Sequence, residues 1–565
     1  METRKVRVYC INNGQNYEVP VGTSLKEFLG MIDYDWKGMD VLAAYVNHSL
    51  KELGFELYLA SAVCFLTYDD ADGRRCYARS LNMLCQKACY DLFPERILYI
   101  TYHLPNGQYA EFKKADNPSV TVPTTEEDLI KLEKRMWELV KEDLPLIKSK
   151  KTNSEACQTF LSHNQTSKAA LAKNAGEFFV TLYYLDGYGD CFYGPMVYST
   201  KLINRWSISR YSEGFCIKNP ASYKPYQLPE QKYQKKLSDI FEENRNWCQI
   251  VGAKDVATVN DIINLGYGKM AIYVSEALHE RKFATIADMI NERRDKVRLV
   301  LIAGPSSSGK TTTSKRIALQ MKVLGLNPVI VGMDDYFVDR QLTPKDENGE
   351  YDFESVYALN LDLLNDHLTR LFNGEEVTLP KFDFTEGKST LTGNKIRMQK
   401  GDVLVMEGIH ALNPVLTSKI DDSLKFKVYA SALTTLPIDE NNYISTTDCR
   451  KLRRMVRDFK FRNYSAEETI TRWPSVTAGE RKNIFPFQEN ADVMFNSSLL
   501  YELPMLKFFA EPLLRRISPM SHAYIEASRL LNFLSRISAL NPEEIHTIPP
   551  TSIMREFIGG SVFTY

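Results

Sequence analysis

The stretch Gly304-Pro305-Ser306-Ser307-Ser308-Gly309-Lys310-Thr311-Thr312 decides the fold of the second half of the chain. It follows an apolar run rich in β-branched residues (297–303) and precedes a segment that is compatible with a helix (313–321). Strand, glycine-bounded loop and helix, in that order, are the context that the phosphate-loop pattern G-x-x-x-x-G-K-[ST] requires. The stretch therefore predicts a P-loop NTPase domain, in which a doubly wound parallel sheet carries the loop at its carboxyl edge.

Each residue type in this loop has a role in holding a nucleotide. Gly304 and Gly309 let the backbone curl so that successive N–H groups point at phosphate oxygens, and the positive end of the following helix adds to the attraction. Lys310 would reach the β- and γ-phosphates, and the Thr311 hydroxyl would ligate Mg²⁺. We expect a nucleoside triphosphate with Mg²⁺, held by Gly304, Ser306, Ser307, Ser308, Gly309, Lys310, Thr311 and Thr312.

The composition is that of an ordinary globular protein with several domains. With 565 residues the chain is too long for one core, so three or four domains are expected. The net charge of −1 provides no global basic field of the kind that nucleic-acid-binding proteins carry. The ten cysteines include no C-x-x-C pair, and the start of the chain has no apolar signal region. We therefore expect a cytoplasmic protein with reduced thiols and no membrane partner.

Residues 1–67 have the pattern of a small β-rich module. Alternating apolar residues flank Asn12-Asn13-Gly14-Gln15, which supplies a hairpin turn, and a short helix is expected at residues 25–31. Apolar strands follow around residues 41–46 and 62–66. This order is a β-grasp layout, and it resembles the TGS module found at the front of threonyl-tRNA synthetases.

The resemblance to threonyl-tRNA synthetases continues beyond this module. Residues 77–94 and Gly194–Thr200 are similar to two parts of the editing-type domain of the synthetase, which is an α+β fold. Where that family has histidines, this chain has Arg79, Met83 and Met196. Without imidazole groups no general base for deacylating a tRNA is evident. The resemblance therefore implies a retained fold without editing chemistry.

Three acidic residues of the second half are predicted to lie where ligands of α/β folds bind. Asp334 follows a buried strand and could accept a proton from an acceptor hydroxyl, although a turn-forming pair with Asp335 is the alternative. Glu354 precedes a leucine-rich helix, so it could hold ribose hydroxyls or simply favour the helix N-terminus. Glu407 ends another buried strand, where P-loop enzymes hold an acid near Mg²⁺.

Two further stretches are candidates for substrate and phosphate contacts. Leu379–Phe384 is predicted to be an apolar and acidic loop suited to stacking on a base, although its aromatic rings could equally belong to the core. One face of a predicted helix carries four arginines: Arg450, Arg453, Arg454 and Arg457. Such a face is normally solvated, but four unpaired arginines repel one another unless anions are near. We therefore expect a lid that closes over phosphates.

Together these residues resemble the uridine kinase and phosphoribulokinase family of P-loop kinases. Six motifs occur in a fixed order over residues 296–500: the loop, D-D-x-F, D-F-E, P-x-x-D-F, E-G-I and D-x-R-x-x-R-R-x-x-R-D. The resemblance implies transfer of phosphate from Mg-ATP to a nucleoside 5′-hydroxyl. The implied catalytic residues are Asp334, Lys310, Arg454 and Arg457. The implied substrate residues are Glu354, Phe382, Asp383 and Arg450, and the implied metal ligands are Thr311 and Glu407.

Two positions depart from the uridine kinase pattern. Gly387 stands where uridine kinases have a histidine for the pyrimidine edge, and Phe337 replaces a tyrosine. Loss of polar contacts to the base should relax or redirect base selectivity, because unpaired polar groups are what reject wrong substrates. The preferred base and sugar are therefore left open.

The sequence thus predicts an ATP-dependent nucleoside kinase with a multidomain α/β fold. Two alternatives stay open, an ATP-gated tRNA-binding or regulatory protein and a kinase of another small hydroxyl metabolite. A nucleic-acid partner and a homo-oligomer are also left open. The predicted domains are a TGS-like β-grasp module (1–67), an editing-like domain (68–225), a helical connector (226–295), a P-loop kinase domain (296–515) and a C-terminal helical tail (516–565).

Overall fold

The computed structural model describes residues 4–104, 107–230, 233–345, 349, 351–383 and 386–564. Along the chain, a small mixed sheet is followed by a larger antiparallel sheet with long helices, then by a helical segment, and finally by a parallel sheet with helices on both faces. This order agrees with the predicted multidomain α/β architecture.

The N-terminal module is a mixed sheet that covers one short helix. Its elements are β1 (Lys5–Cys10), β2 (Gln15–Pro20), β3 (Thr23–Ser24), α1 (Leu25–Leu29), β4 (Ala43–Val46), β5 (Ser49–Lys51), β6 (Glu56–Leu57) and β7 (Ser61–Leu66). The strands lie in the order β2-β1-β7-β4-β5, and β1 is antiparallel to β2 but parallel to β7. The predicted hairpin turn joins β1 to β2. Gly14 in this turn has a φ of 69°, a conformation that glycine adopts without steric cost. Phe28 of α1 packs on Val8 and Phe65 in the core of this module.

The next part combines an antiparallel sheet with long helices. Its elements are α2 (Ala71–Leu92), β8 (Arg96–Leu104), β9 (Gly107–Lys114), β10 (Thr121–Val122), α3 (Glu126–Lys141), β11 (Ile147–Thr152), α4 (Asn153–Ser162), α5 (Thr166–Asn174), β12 (Phe179–Leu185), β13 (Tyr188–Asp190), β14 (Ser207–Tyr211) and β15 (Gly214–Lys218). Strands β10, β9, β15 and β14 are neighbours in that order, and β8 pairs with β9. A second antiparallel sheet has the order β11-β12-β13.

The segment before the phosphate loop is helical. It consists of α6 (Lys235–Ile250), α7 (Val256–Asn264) and α8 (Gly268–Glu292). Apolar residues of α8 such as Ile272, Phe283 and Ile290 are fully buried in the same core as the parallel sheet. The connector therefore packs on the sheet rather than spanning a gap.

The parallel sheet and its helices form the part that carries the phosphate loop. Its elements are β16 (Leu299–Ala303), α9 (Lys310–Val323), β17 (Asn327–Gly332), α10 (Leu361–Phe372), β18 (Glu376–Asp383), β19 (Lys388–Arg397), β20 (Asp402–Glu407), β21 (Lys425–Ser431), α11 (Thr446–Phe461), α12 (Ala466–Asn483), β22 (Val493–Asn496) and α13 (Glu502–Leu514). The strand order is β17-β20-β16-β21-β22, and every pairing in this sheet is parallel. All residues of β16 are buried, so the loop that follows it leaves the centre of the sheet.

The C-terminal segment folds back onto this part of the chain. Its helices are α14 (Ala523–Leu534), α15 (Pro542–His546) and α16 (Arg555–Ile558). Ile553, Met554 and Phe557 are fully buried in the core that contains β16 and α11. The C-terminal segment is therefore docked on the part of the chain that carries the phosphate loop.

A buried cluster of charges joins the two halves of the molecule. Lys168 of α5 forms an ion pair with Asp190, and its Nζ lies 3.8 Å from Oδ1 of Asp439, which follows β21. Glu440 accepts hydrogen bonds from the backbone N–H groups of Ser167 (2.7 Å) and Lys168 (3.1 Å). Residues 437–443 of the kinase half are therefore anchored in the preceding domain.

None of the helices in the described ranges is long and apolar enough to cross a membrane. The longest of the described helices, α8, carries charged side chains along its length.

Candidate active site

The phosphate loop runs from the end of β16 to the start of α9, and its backbone is tightly curled. Gly304 lies so close to β21 that a Cβ at this position would fall 1.9 Å from the carbonyl oxygen of Ala430, so only glycine fits. Ser307 and Gly309 have positive φ values of 58° and 82°, which turn the loop back on itself. The loop thus has the curled form that backbone phosphate binding requires.

Lys310 and Thr311 lie at the start of α9, on the crevice side of the loop. The ammonium group of Lys310 donates to the carbonyl oxygen of Pro305 at 3.3 Å, so the side chain extends along the loop. The Thr311 hydroxyl donates to Oε1 of Glu407 at 3.0 Å. Glu407 ends β20, which pairs with β16 so that Glu407 lies opposite Ile302. Its side chain is therefore at the edge of the sheet from which the loop leaves β16.

The carboxylate of Glu407 is difficult to keep charged in its surroundings. Burial raises its pKa to about 7, and the negative charge of Asp334 acts in the same direction. Lys310 and the Thr311 hydroxyl oppose this rise. A bound cation would relieve the repulsion between the two acids.

Asp334 follows β17 and is open to the solvent of the crevice. The protein atoms packed around it raise its pKa, whereas Lys310, Arg457 and Arg462 act to lower it. Its neighbour Asp335 also has a raised pKa, mainly because of burial. The structure therefore brings Asp334, Lys310 and Glu407 to one side of the loop.

Glu354 lies against α12 rather than at a helix start. A Cβ on Gly479 of α12 would fall 2.2 Å from Cβ of Glu354, so the two backbones approach closely. Burial raises the pKa of Glu354 to about 7, and the charge of Glu480 adds to this rise. Helix α10 begins only at Leu361, with Asn360 as its N-cap, so the interpretation of Glu354 as a helix N-terminal acid is wrong.

The predicted base-stacking loop is mostly a strand. Residues 376–383 form β18 of a hairpin with β19, so the prediction of a loop is wrong as far as residue 383, and Phe384 lies outside the described residues. The Phe382 ring is buried, and its centre lies 5.6 Å from that of Phe337. Asp383 is exposed and accepts from the N–H of Glu386 at 3.0 Å. The two phenylalanines therefore form an aromatic pair beside Asp335.

Arg340 occupies the space in which a side chain at residue 387, the position of the histidine in uridine kinases, would lie. Gly387 has a φ of 71°, and a Cβ there would lie 2.7 Å from Nε of Arg340. The carbonyl oxygen of Gly387 accepts from the N–H of Arg340 at 2.8 Å. A histidine at residue 387 would therefore collide with Arg340.

The expectation that the four arginines of α11 are unpaired is wrong. Arg450 is 2% exposed, and its Nη2 donates to Oε2 of Glu480 at 2.8 Å. Arg453 is fully buried, and its Nε and Nη2 donate to the two carboxylate oxygens of Glu502 at 2.6 and 2.7 Å. Each also donates to a carbonyl oxygen of the phosphate loop. The structure thus places Arg450, predicted to be a substrate residue, behind the loop.

The other two arginines of α11 are only partly buried. Arg454 donates to the Ser306 hydroxyl at 3.1 Å and to Oδ2 of Asp458 at 3.1 Å. Arg457 donates to Oδ1 of Asp458 at 2.8 Å, and Arg462 lies 3.7 Å from the same oxygen. Because three guanidinium groups share one carboxylate, this cluster keeps a positive charge for phosphate oxygens.

Sequence reasoning missed two acids that contact the loop. Glu480 accepts from the N–H of Ser306 at 2.9 Å, and Glu556 accepts from the Thr312 hydroxyl at 2.7 Å and from its N–H at 3.3 Å. They lie 174 and 244 residues away along the chain, and neither is in a recognisable motif. No local pattern in the sequence could have identified them.

The residues present fit a nucleoside triphosphate and Mg²⁺. The hydroxyl oxygens of Ser307 and Ser308 are buried and have no hydrogen-bond partner within the part of the chain that the structure describes. Thr311 and Glu407 offer a hydroxyl and a carboxylate oxygen, which are ligands that Mg²⁺ prefers. The site therefore combines unused polar atoms with donors for an anion and oxygens for a cation.

Comparison with known proteins places the loop in a kinase family. The model of the phosphoribulokinase / uridine kinase family matches residues 299–499. A uridine kinase of Staphylococcus aureus (strain JH9) is 31% identical over 199 residues, which are 35% of this chain and 86% of that protein. A uridine kinase of Staphylococcus haemolyticus (strain JCSC1435) is 29% identical over 197 residues, with the same two shares.

Among solved structures, one described as a "Possible Uridine Kinase from Bacillus stearothermophilus" is 19% identical. It covers 37% of this chain and 99% of its own, with a TM-score of 0.23.

The chain belongs to the phosphoribulokinase and uridine kinase family through residues 299–499. This confirms the predicted P-loop kinase fold and a kinase of a small hydroxyl-bearing substrate, and membership in the family implies the use of ATP. The assignments of residues 1–225 as TGS-like and editing-like, and the domain boundaries, stay predictions.

Proposed function

We propose that the protein transfers the γ-phosphate of ATP to the 5′-hydroxyl of a nucleoside. The observation that carries this proposal is the convergence of Asp334, Lys310 and Glu407 beside the curled loop. Two of these are acids with raised pKa values and one is a cation, and together they provide a base, a phosphate contact and a metal ligand. Phosphoryl transfer needs little more than positioning and charge stabilisation.

In this reaction the loop and α9 bind the triphosphate. Backbone N–H groups of the loop, with Lys310, hold the phosphate oxygens. Mg²⁺, held by Thr311 and Glu407, would offset the charge on the phosphates. Arg454 donates to the Ser306 hydroxyl of the loop, and the charge of Arg457 acts on Asp334, so both arginines can stabilise negative charge on the group in transfer.

Asp334 acts on the acceptor. Its carboxylate is open to the crevice and accepts the proton of the acceptor hydroxyl, while the hydroxyl oxygen forms a bond to the γ-phosphorus and ADP leaves. The protein atoms packed around Asp334 raise its pKa, and the positive charges of Lys310, Arg457 and Arg462 oppose this rise.

A nucleoside fits the groups around Asp334. Glu354 can accept hydrogen bonds from two neighbouring ribose hydroxyls, and the Phe337–Phe382 pair offers an aromatic edge for a base. The Arg340 side chain lies against Gly387, the position at which uridine kinases have a histidine. This set supports a nucleoside acceptor with a different base preference from that of a histidine-bearing site.

The test is transfer of the γ-phosphate from Mg-ATP across a panel of nucleosides and deoxynucleosides. Lys310→Ala is the blank, because it removes the phosphate contact and leaves the loop backbone in place. Turnover on one or more nucleosides is the expected result. No turnover on any nucleoside, with transfer to a sugar or another hydroxyl metabolite, would refute the nucleoside acceptor and leave the kinase assignment intact.

A further inference from the structure

The C-terminal segment places a carboxylate on donors of the phosphate loop. Oε2 of Glu556, in α16, accepts from both the hydroxyl and the backbone N–H of Thr312. Thr312 belongs to the first turn of α9, whose N–H groups are positioned to bind anions. The negatively charged side chain of Glu556 thus accepts from the N–H and the hydroxyl of Thr312. The phosphate-loop pattern predicts that these two donors bind a nucleotide phosphate.

The rest of this segment is held firmly. Ile553 and Phe557 are fully buried, and Ile553 lies against Gly309, where a Cβ would fall 2.5 Å from its Cγ2. The Phe557 ring lies beneath the guanidinium of Arg453, 5.2 Å from its centre. Lys460 donates to the carbonyl oxygen of Ile558. The carboxylate is therefore tethered at a high effective concentration beside the loop.

Glu556 differs from Glu480, the other acid that lies outside the recognised motifs and contacts the loop. Glu480 also accepts from a loop N–H, but both of its oxygens are paired with the buried guanidinium of Arg450. Glu480 therefore forms part of the support of the loop. Glu556 is half-buried, and its negatively charged carboxylate lies against Thr312 of the loop. A nucleotide phosphate that bound Thr312 would meet both the occupied donors and this charge.

We propose that Glu556 is a built-in competitor for the phosphate of ATP that binds Thr312, so that it sets the affinity of the loop for nucleotide. Binding of ATP displaces the Glu556 side chain from Thr312, while Ile553 and Phe557 stay in place. When a site is available for only a fraction of the time, its apparent affinity falls by that fraction. The inference rests on the proposed function for ATP as the ligand, and it adds the regulation of the same loop.

The test is binding of a non-hydrolysable ATP analogue with Mg²⁺ to the full-length protein, measured by calorimetry without any acceptor. Glu556→Gln should lower the Kd about tenfold, because a neutral amide competes poorly with phosphate for the Thr312 donors. Glu556→Asp, which retracts the carboxylate by one methylene, should lower it by a smaller factor. Glu543→Gln is the matched control, since Glu543 is an exposed acid of the same segment, and it should leave the Kd unchanged.

Thermal unfolding separates competition from simple support of the loop. Without nucleotide, Glu556→Gln should melt at a lower temperature than the wild type, because a loop contact is lost. With the analogue it should show a larger rise in Tm than the wild type, because ligand stabilisation grows as Kd falls. A weaker or unchanged Kd in Glu556→Gln would overturn the inference. Absence of analogue binding in every protein, wild type included, would overturn the proposed function as well.

Discussion

Replacement of Lys168 by Met tests whether the two halves of the molecule depend on each other. The Lys168 side chain is 1% exposed, and those of Asp190 and Asp439 are fully buried. Met keeps the apolar stem of the side chain and removes its charge. The variant therefore leaves two buried carboxylates, with Glu440 beside them, without the ammonium group that is paired with them in the wild type.

The size of the effect follows from the distances. A pair of unit charges 3.8 Å apart, as between Lys168 and Asp439, attract by about 4 kcal/mol at an effective dielectric constant of about 20. Removal of one partner from a buried ion pair typically costs about 3–5 kcal/mol. We expect a loss of unfolding free energy in this range at neutral pH, with uptake of a proton by one of the acids limiting it.

The assay is equilibrium unfolding in urea, followed by intrinsic fluorescence, with hydrogen exchange of α5 and residues 437–443. Lys173→Met is the matched control, because Lys173 lies on the same helix and is exposed. Asp190→Asn added to Lys168→Met should recover part of the loss, because it removes one of the stranded charges. If Lys168→Met and Lys173→Met unfold at the same urea concentration with equal slopes, the reasoning is refuted.

Three further predictions concern the site and the junction. Asp334→Asn should lower kcat about 10²–10⁴-fold with nucleotide affinity retained, and near-normal kcat would exclude Asp334 as the base. Burial, and then the charge of Asp439, raise the pKa of Glu440 to about 7 in the folded protein, whereas the unfolded chain releases this proton near pH 4.3. The stability of the wild type should therefore rise as the pH falls from 8 to 5. Glu440→Gln should flatten this rise when urea midpoints are plotted against pH, and parallel profiles of the two proteins would contradict the assignment. Gly309→Ala should lower Tm and weaken binding of the ATP analogue, because it combines a left-handed φ with a contact to Ile553 at 2.5 Å; an unchanged Tm would show that the loop can relax around the methyl group.

The parts of the kinase fold that local patterns determine could be predicted from the sequence. The strand before the loop, the helix after it and the strands that end at Gly332 and Glu407 lie where the apolar runs indicate them. Strands β16 and β20 are short and buried, so composition alone marks them. Strand β17 is predicted to be buried as well, but it is the edge strand of the sheet and leaves Ile330 exposed. The positions of Asp334 and Glu407 follow, because neighbouring parallel strands end at the same edge of the sheet.

The partners of the arginines could not be predicted in this way. Spacing places Arg450 and Arg453 on one helix face, but it does not show that Glu480 and Glu502 lie 30 and 49 residues further on and point at them. The strand conformation of β18 could not be predicted for a similar reason, because it depends on hydrogen bonds to β19. Pairings between distant residues are a property of the folded chain and leave no periodic signal.

The shared core around the parallel sheet has a consequence for dissecting the protein. Ile272 and Phe283 of α8 and Leu530 of α14 are buried in the core of the sheet, yet they lie outside residues 299–499. A fragment cut to the family match would expose the apolar surface that these side chains cover, at about 25 cal/mol for each Å². Such a fragment would tend to aggregate. The stretch that similarity delimits is therefore shorter than the unit that must be expressed for the kinase to fold.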